Sequence, residues 1–274
     1  MPLTLVTIVI LAATALAGAV ALYFVSRRFH VNEDPKIDRI TALLPGANCG
    51  GCGFKGCRDF ARACAEAKSL DGIYCPVGGE SVMEKVAEIT GLAHDAATPM
   101  TATLICNGAC PARRPVALWR GPRSCADMAM TGAGTLTCSY GCLGCGDCVA
   151  SCAFGAMTLN SDTHLPEIDP TLCVACGQCV EACPRHLLKL IPKGKRDRRV
   201  WVACSNRDRG AAARKACDNA CIACGKCVRE CPFDAISIID NRAVVDPAKC
   251  RACGKCVAVC PTGAIHTTIK TAAQ

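Results

Sequence analysis

The stretch CSYGCLGCGDCVASC, residues 138–152, places five cysteines within fifteen positions, and CDNACIACGKCVREC at 217–231 repeats the same cysteine spacing. In both stretches the last four cysteines follow the pattern Cys-x2-Cys-x2-Cys-x3-Cys, and one further cysteine precedes them by four positions. Runs beginning at Cys173 and Cys250 have the pattern without the extra cysteine. Four runs in two pairs predict two tandem domains of one kind.

This pattern is that of bacterial ferredoxins, in which the first three thiolates of a run bind one [4Fe–4S] cluster and the fourth binds the other cluster of the pair. Structural zinc is disfavoured, because zinc sites join two Cys-x2-Cys pairs across about a dozen or more residues. Four clusters are therefore predicted. Their ligand sets are Cys142, Cys145, Cys148 and Cys183; Cys173, Cys176, Cys179 and Cys152; Cys221, Cys224, Cys227 and Cys260; and Cys250, Cys253, Cys256 and Cys231.

An earlier group has a different spacing and predicts a fifth cluster. Its members, Cys49, Cys52, Cys57 and Cys75, lie beside the flexible sequences CGGCG and PVGG. Cys64 falls inside a predicted helix over 58–68, so we expect it to be a packing residue. In the first ferredoxin run Ala153 follows the last cysteine, where the other three runs have proline. The ligand is still present, so this difference concerns only the stiffness of the backbone that leaves the loop.

Six cysteines remain outside these sets as additional candidate ligands: Cys106, Cys110, Cys125, Cys138, Cys204 and Cys217. Cys125 precedes Cys138 by thirteen residues, and Cys204 precedes Cys217 by the same interval. The first unit holds four of the six, enough for a sixth cluster, and the second holds two. The sequence therefore predicts about five clusters and leaves a sixth open.

The charge balance argues against nucleic-acid binding. The formal net charge is +8, and five clusters at about −2 each bring the loaded protein close to neutrality. The basic segment PKGKRDRR at 192–199 is expected to be a solvated connection, with docking of an acidic partner or anionic lipid as the alternative. The five histidines share no spacing, and no phosphate-binding loop or dinucleotide fingerprint occurs, so no catalytic residue is predicted.

Residues Thr4 to Val25 are uncharged and mostly apolar, long enough for a helix of roughly 33 Å that crosses a bilayer core. A cleaved signal peptide is the alternative, but its apolar core is shorter and follows its positive charges. Here Arg27 and Arg28 come after the apolar run. The positive-inside rule then places the rest of the chain in the cytoplasm, where cysteines stay reduced and metal ligation is favoured over disulfides.

The predicted fold class is α+β, with a transmembrane anchor at 1–28 and a small, mostly helical iron–sulfur domain at 32–92. A linker at 94–103 leads into two ferredoxin-like double-cluster modules at 104–191 and 200–269. The first module includes the cysteine-rich segment upstream of its runs. Within each module the residues between the two runs, 156–173 and 235–250, predict a hairpin.

The order of anchor, CGGCGFKGC with CPVGG, CSYGCLGCGDC and paired ferredoxin runs resembles the long form of the B-type iron–sulfur subunits of Rnf ion-translocating oxidoreductase complexes. The resemblance implies an electron-transfer subunit on the cytoplasmic face of the inner membrane. It would accept electrons from soluble ferredoxin and pass them to membrane and peripheral partners that couple NAD reduction to Na⁺ or H⁺ transport. The chain alone would hold no complete catalytic site. Some family members lack cysteine at the position of Cys145, which would allow Cys138 to replace it as a ligand.

Two other functions fit the same motifs. A polyferredoxin subunit of a membrane hydrogenase or carbon-monoxide dehydrogenase would carry similar runs, although the anchor and CSYGC make it less favoured. An iron–sulfur redox sensor would need an output domain, and none is recognisable.

Overall fold

The chain begins with one long apolar helix. The computed structural model describes residues 2–28, 33–108, 117–130 and 136–269. Helix α1 spans Pro2–Arg28, and its segment Leu5–Val25 has a mean hydropathy of 2.5 with no residue buried by the rest of the protein. No other helix in these ranges is long and apolar enough to cross a membrane. An uncovered apolar surface of this length fits a lipid environment, so the predicted anchor is retained as a membrane-span candidate.

Three helices form the small N-terminal domain: α2 at Pro35–Leu43, α3 at Cys57–Glu66 and α4 at Gly79–Thr90. Asp34 caps α2 by accepting a 2.8 Å hydrogen bond from the Lys36 N–H, as the Asp-Pro sequence predicts. The three helices pack through Ile40, Phe60 and Met83, each at most 1% exposed. Cys64 is fully buried in this apolar core, which is the packing role expected of it.

Two modules of like topology follow, each built from two antiparallel strand pairs. In the first, β1 (Met100–Leu104) pairs with β4 (Leu188–Pro192), and β2 (Met157–Leu159) pairs with β3 (Pro166–Ile168). In the second, β5 (Val200–Val202) pairs with β8 (Ile265–Thr267), and β6 (Ile236–Ile239) pairs with β7 (Arg242–Val245). The inner pairs are the predicted hairpins. Asp240 and Asn241 both have positive φ at the turn of the second, as a tight hairpin turn requires.

The outer strand pairs were not anticipated. Strand β1 begins at Met100, inside the segment expected to be a linker and four residues before the expected start of the module. Its five residues are apolar or threonine, and three of them are buried against the module core. Pairing with a strand about ninety residues away leaves no local sequence signal, because the partner supplies the hydrogen bonds.

Short helices follow the cysteine runs. Helices α6 (Asp147–Ala150), α7 (Gln178–Glu181), α9 (Lys226–Glu230) and α10 (Lys255–Ala258) each begin just before the third cysteine of a run. Helix α5 (Cys125–Met130) precedes the first run, and α8 (Gly210–Ala216) precedes the third. The short helices direct the third thiol of each run back toward the module interior, where Cys148, Cys179, Cys227 and Cys256 are buried.

The two modules pack on each other along β1 and β5. The Trp201 indole N–H donates to the Leu104 carbonyl at 3.2 Å, and the Arg199 guanidinium donates to the Thr103 hydroxyl at 3.2 Å. Arg199 ends the basic segment 192–199 and is only 7% exposed, whereas Lys195, Arg196 and Arg198 face solvent. The middle of the connection is therefore solvated, whereas Pro192 and Lys193 pack on the first module and Arg199 is part of the seam between the modules.

Candidate metal centre

The four ferredoxin runs share one backbone geometry. The residue two positions before the third cysteine is glycine in every run, with φ of 91°, 83°, 71° and 80° at Gly146, Gly177, Gly225 and Gly254. A second left-handed residue precedes the middle cysteine, namely Gly144 in the first run and alanine in the others. Ala175, Ala223 and Ala252 hold φ between 50° and 57° there. Left-handed alanine is strained, and such strain is concentrated at functional sites.

The N-terminal site is a cavity lined by Cys49, Cys52, Cys57 and Cys75, the four cysteines predicted to act together. Asn48 fixes the loop by accepting a 2.8 Å hydrogen bond from the Cys57 N–H at the start of α3. The Gly78 N–H donates to the Cys75 sulfur at 3.3 Å. Cys64 lies outside this lining.

In the first module, the thiols meet across the two runs. Site II is a cavity whose cysteines are Cys152, Cys173, Cys176 and Cys179, the set that the crossed ferredoxin rule predicts. Site I is lined by Cys142, Cys148 and Cys183 of the predicted set and by Cys125. The predicted middle ligand, Cys145, is not part of that lining.

In the second module the same crossing is visible in the neighbours of single thiols. Site III groups Cys227 with Cys221, Cys224 and Cys260, all close enough to raise the Cys227 pKa further after burial has raised it. Around Cys256, burial and then Cys250, Cys253, Cys227 and Cys231 raise the thiol pKa to about 12; Cys250, Cys253, Cys231 and Cys256 form site IV. Sites II, III and IV therefore each bring the last cysteine of one run to the first three of the other, and site I departs from this at its middle cysteine.

A further cavity, the central site, lies on the seam between the modules. Four of its lining residues are cysteines outside the ferredoxin sets: Cys106, Cys138, Cys204 and Cys217. Cys106 and Cys204 each follow the outer strand of a module by two residues, and Cys138 and Cys217 each precede a run by four. Each module thus contributes two thiols from equivalent positions. The first module's surplus cysteines are not gathered into one set, because Cys125 lines site I instead.

Hydrogen bonds surround the sulfurs of the central site. Cys106 accepts from the N–H groups of Gly108 and Cys142, both at 3.4 Å, and Cys204 accepts from Cys221 and Asn206. The buried Asn206 side chain donates to Cys138 at 3.6 Å. Across the seam, Asn219 donates to the Asn107 carbonyl at 2.9 Å. Amide donors directed at sulfur are the environment that iron–sulfur thiolates use to tune potential.

The thiols are buried with little opposing charge. Burial raises the pKa of Cys148 to about 12 and that of Cys179 to about 11, so neither would ionise at neutral pH without a cationic partner. Arg185 is a half-buried cation beside site I and the central site, with its guanidinium 2.6 Å from the Gly141 carbonyl. Burial lowers the Arg185 pKa, while Cys138 and Cys142 oppose that shift.

These sites fit a cubane cluster better than a single ion. Among the described residues no three Cys, His, Asp or Glu side chains converge closely enough to hold one metal ion. The thiolates of a cubane bind four separate iron atoms, so they line a cavity without converging on one point. Sets of four thiols around cavities, with N–H donors on the sulfurs, match that requirement.

The missing proline does not change the loop exit. After Cys152, the Gly155 N–H donates to the Cys152 carbonyl at 3.4 Å, and after Cys260 the Gly263 N–H makes the same contact at 3.4 Å. Ala153 and Pro261 therefore occupy equivalent turns. Glycine three residues after each cysteine, at φ near 60°, is sufficient to form this turn.

Neighbouring sites are in contact with one another at three places between the N-terminal site and site III. Gly51 of the N-terminal site packs so closely on site II that a Cβ there would lie 2.7 Å from the Cys176 carbonyl oxygen, and Gln178 donates to the Cys49 carbonyl at 2.8 Å. Cys142 lines both site I and the central site. On the other side of the central site, the Cys221 N–H of site III donates to the Cys204 sulfur.

Of the six additional candidates, four line the central site and Cys125 lines site I. Cys110 lies outside the described residues. Cys138 lines the central site and is not part of the site I lining, where it would have to lie to replace Cys145. The signal that could have identified this set is the equal offset of Cys138 and Cys217 from their runs, which marks two equivalent positions in a repeat.

Comparisons with known proteins agree with this architecture. A family of 4Fe–4S dicluster domains matches residues 141–187 and 220–264, a second family of that description matches 165–232, and an Fe–S cluster family matches 44–72. Two dicluster modules of mixed helices and strands follow one apolar helix, which confirms the predicted fold class. The cofactors of this chain are [4Fe–4S] clusters.

Similar curated proteins cover most of the chain. The B-type subunit of the Na⁺-translocating ferredoxin:NAD⁺ oxidoreductase complex of Acetobacterium woodii is 42% identical over 88% of this chain and 71% of its own length. The proton-translocating counterpart of Clostridium ljungdahlii is 40% identical over 87% and 83%. The corresponding subunit of the ion-translocating oxidoreductase complex of Methanosarcina acetivorans is 37% identical over 89% and 90%. The chain belongs to the family of B-type Rnf subunits, the iron–sulfur electron-transfer subunits of an ion-translocating oxidoreductase.

Proposed function

We propose that this chain accepts electrons from reduced ferredoxin on the cytoplasmic side of the membrane and delivers them to other Rnf subunits, which couple NAD reduction to transport of Na⁺ or H⁺. The observation that carries the proposal is the series of thiol-lined sites that runs from the seam with the second module, through the first module, to the N-terminal domain, which follows the apolar helix in the sequence. The names of the A. woodii and C. ljungdahlii relatives supply the donor, the acceptor and the two alternative ions.

We propose six [4Fe–4S] clusters, one more than the ferredoxin runs and the N-terminal set require. Four bind at sites I to IV and one at the N-terminal site, and the sixth binds at the central site. When bound, each cluster supplies one-electron redox chemistry. The protein's own part is to hold the thiolates, to direct N–H groups at the sulfurs and to place Arg185 among the thiols of site I and the central site.

Sites III and IV offer the entrance for a soluble donor. Cys224 and Cys253 are the exposed cysteines among those that the structure describes. Around them the loops 222–230 and 249–258 carry five exposed cations and one carboxylate, Glu230. The cations are Lys226, Arg229, Lys249, Arg251 and Lys255. A basic rim around exposed ligands favours an acidic redox protein, whose association is steered by charge and weakened by salt.

The loading can be tested directly. Iron and sulfide analysis of the purified full chain, with low-temperature EPR after dithionite reduction, should give about 24 irons and the signals of interacting clusters. Zinc in place of iron would refute the proposed function.

The donor can be tested by mixing. Reduced ferredoxin should bleach the visible absorption of the oxidised chain, at a rate that falls with ionic strength. Substituting Lys226, Arg251 and Lys255 with glutamine should slow this bleaching by about tenfold or more at low salt. The matched control substitutes Lys195, Arg196 and Arg198 with glutamine, three exposed cations that are not part of any cavity lining described above. A larger effect in the control would place the donor elsewhere.

Anchoring and orientation need separate measurements. Removal of residues 1–28 should release the chain from membranes, and a truncated chain that stays bound would argue against anchoring by α1. In inside-out vesicles, where the cytoplasmic face is outward, added protease should digest the cluster domains. Protection in those vesicles, with digestion from the opposite side, would reverse the proposed orientation.

A further inference from the structure

Site I has five thiols for the four ligand positions of a cluster. Its cavity is lined by Cys125, Cys142, Cys148 and Cys183, while Cys145 lies to one side. Site II shows the arrangement that the ferredoxin pattern predicts, because its middle cysteine, Cys176, lines the cavity with the other three. The first run therefore departs from its neighbour at the middle cysteine alone.

The Cys145 thiol is engaged elsewhere. Its sulfur donates a hydrogen bond to the Met128 thioether sulfur at 3.1 Å, and it also interacts with the Cys125 thiol. Cys145 therefore lies against Met128 and Cys125 on the α5 side of its run and outside the cavity lining. Met128 belongs to α5 and is only 6% exposed, so this contact is part of the packing between α5 and the first run.

Asp147 of the run itself holds Cys125 in place. Its carboxylate accepts hydrogen bonds from the Cys125 N–H at 2.9 Å, the Ala126 N–H at 3.2 Å and the Ser124 hydroxyl at 3.2 Å. The two N–H groups are free donors at the start of α5, so Asp147 caps that helix from another part of the chain. The equivalent positions in the other three runs are Gln178, Lys226 and Lys255, none of which carries a carboxylate.

We propose that Cys125, and not Cys145, is the fourth protein ligand of the [4Fe–4S] cluster at site I, together with Cys142, Cys148 and Cys183. Asp147 is the positioning residue that docks α5 so that Cys125 reaches the cavity. This inference rests on the proposed function, since it presupposes a cluster at site I. It changes the ligand set predicted from the Cys-x2-Cys-x2-Cys spacing at one position.

The test compares three single variants of the full chain: Cys125→Ser, Cys145→Ser and Cys224→Ser. Cys224 is the middle cysteine of the third run, which is the counterpart of the first. In the described structure no upstream cysteine lies at site III as Cys125 lies at site I, so Cys224→Ser is the matched control. Iron content and EPR are measured on each. We expect Cys145→Ser to keep the iron and spectrum of the parent chain. Cys125→Ser and Cys224→Ser should each lose about four irons or convert one cluster to a three-iron form.

Several outcomes would overturn the assignment. Loss of a cluster in Cys145→Ser would show that the middle cysteine is a ligand after all. Full iron in Cys125→Ser would show that Cys125 is dispensable, whichever thiol takes its place. Because serine at Cys125 could also disturb folding, the signals of the other clusters serve as an internal measure of folded protein. A parent chain without iron would refute the proposed function itself, whereas a loaded parent that depends on Cys145 would refute only this inference.

Discussion

The two ferredoxin modules have the same cysteine spacing but opposite charge around their clusters. In the first module the loops 143–151 and 172–181 carry two carboxylates, Asp147 and Glu181, and no cation. In the second, the equivalent loops carry five cations and one carboxylate. The first module also has α5 and Arg185 packed beside site I, and it contacts the N-terminal domain through Gln178.

This difference shows which features the repeated module requires and which residues can vary between its two copies. The thiols, the left-handed loop positions and the strand pairs are common to both modules because the cluster geometry requires them. Both modules face the seam, but the loops of the first also contact α5 and Gly51, whereas those of the second expose their charged residues to solvent. The first module therefore uses these loops for contacts within the chain, and the second exposes a basic surface, where we propose that the soluble donor binds.

The largest expected effect comes from removing the site that joins the modules. Cys138→Ser combined with Cys204→Ser takes one thiol from each module, and we expect the loss of about four irons with the other clusters retained. Iron analysis and EPR measure the result. Cys64→Ala is the control, since Cys64 is a buried thiol outside every cavity lining described above, and it should keep all its iron. If the double variant kept all its iron, the central site would not hold a cluster.

Removal of the Asp147 cap, which distinguishes the first run from the others, should have the next largest effect. Asp147→Asn weakens three hydrogen bonds at the start of α5, and we expect about 1–2 kcal/mol less stability for the docked helix. Hydrogen exchange of the α5 amides would measure it. Lys226→Asn at the twin position caps no helix and should change stability by less than about 0.5 kcal/mol. Equal effects at both positions would contradict a special role for Asp147.

Two substitutions at the left-handed loop positions should change stability by smaller amounts and in opposite directions. Gly144→Ala places a side chain at φ 76° and should cost about 1 kcal/mol, whereas Ala223→Gly relieves strain at φ 52° in the twin loop. Because glycine also adds freedom to the unfolded chain, the gain in the second case should be only about 0.5 kcal/mol. The urea concentration at which cluster absorption is lost measures both. Effects of the same sign would show that the loops are not equivalent.

The smallest expected effect concerns Arg185, the half-buried cation that the second module replaces with Thr262. Arg185→Gln removes positive charge near site I and the central site, which disfavours reduction and should lower their potentials by on the order of tens of millivolts. Redox titration followed by EPR reports the shift. The exposed Arg251 is the control, because solvent screens its charge and Arg251→Gln should shift potentials less.

Much of the architecture was predictable from local pattern. The anchor, the capped helix at Pro35–Leu43, the inner hairpins and the pairing of runs are encoded within short windows, so their positions follow from periodicity and spacing. Strand β1 was not predictable, because its hydrogen bonds come from Leu188–Pro192, which is distant in the sequence. The crossed ligand sets of sites II, III and IV remain predictions, although the structure brings those thiols together.

Spacing by itself determined that this chain holds clusters, because three cysteines at intervals of three can turn toward one cubane only in a tight, left-handed loop. Spacing marks Cys138 and Cys217 as equivalent positions, but it could not determine at which site each surplus cysteine lies, since nothing local distinguishes Cys106 from Cys125. The tertiary structure decided that: packing β1 against β5 brings two thiols from each module to one seam, and Asp147 docks Cys125 at site I. A ligand contributed from a distant segment is set by which surfaces pack, and packing depends on the whole fold.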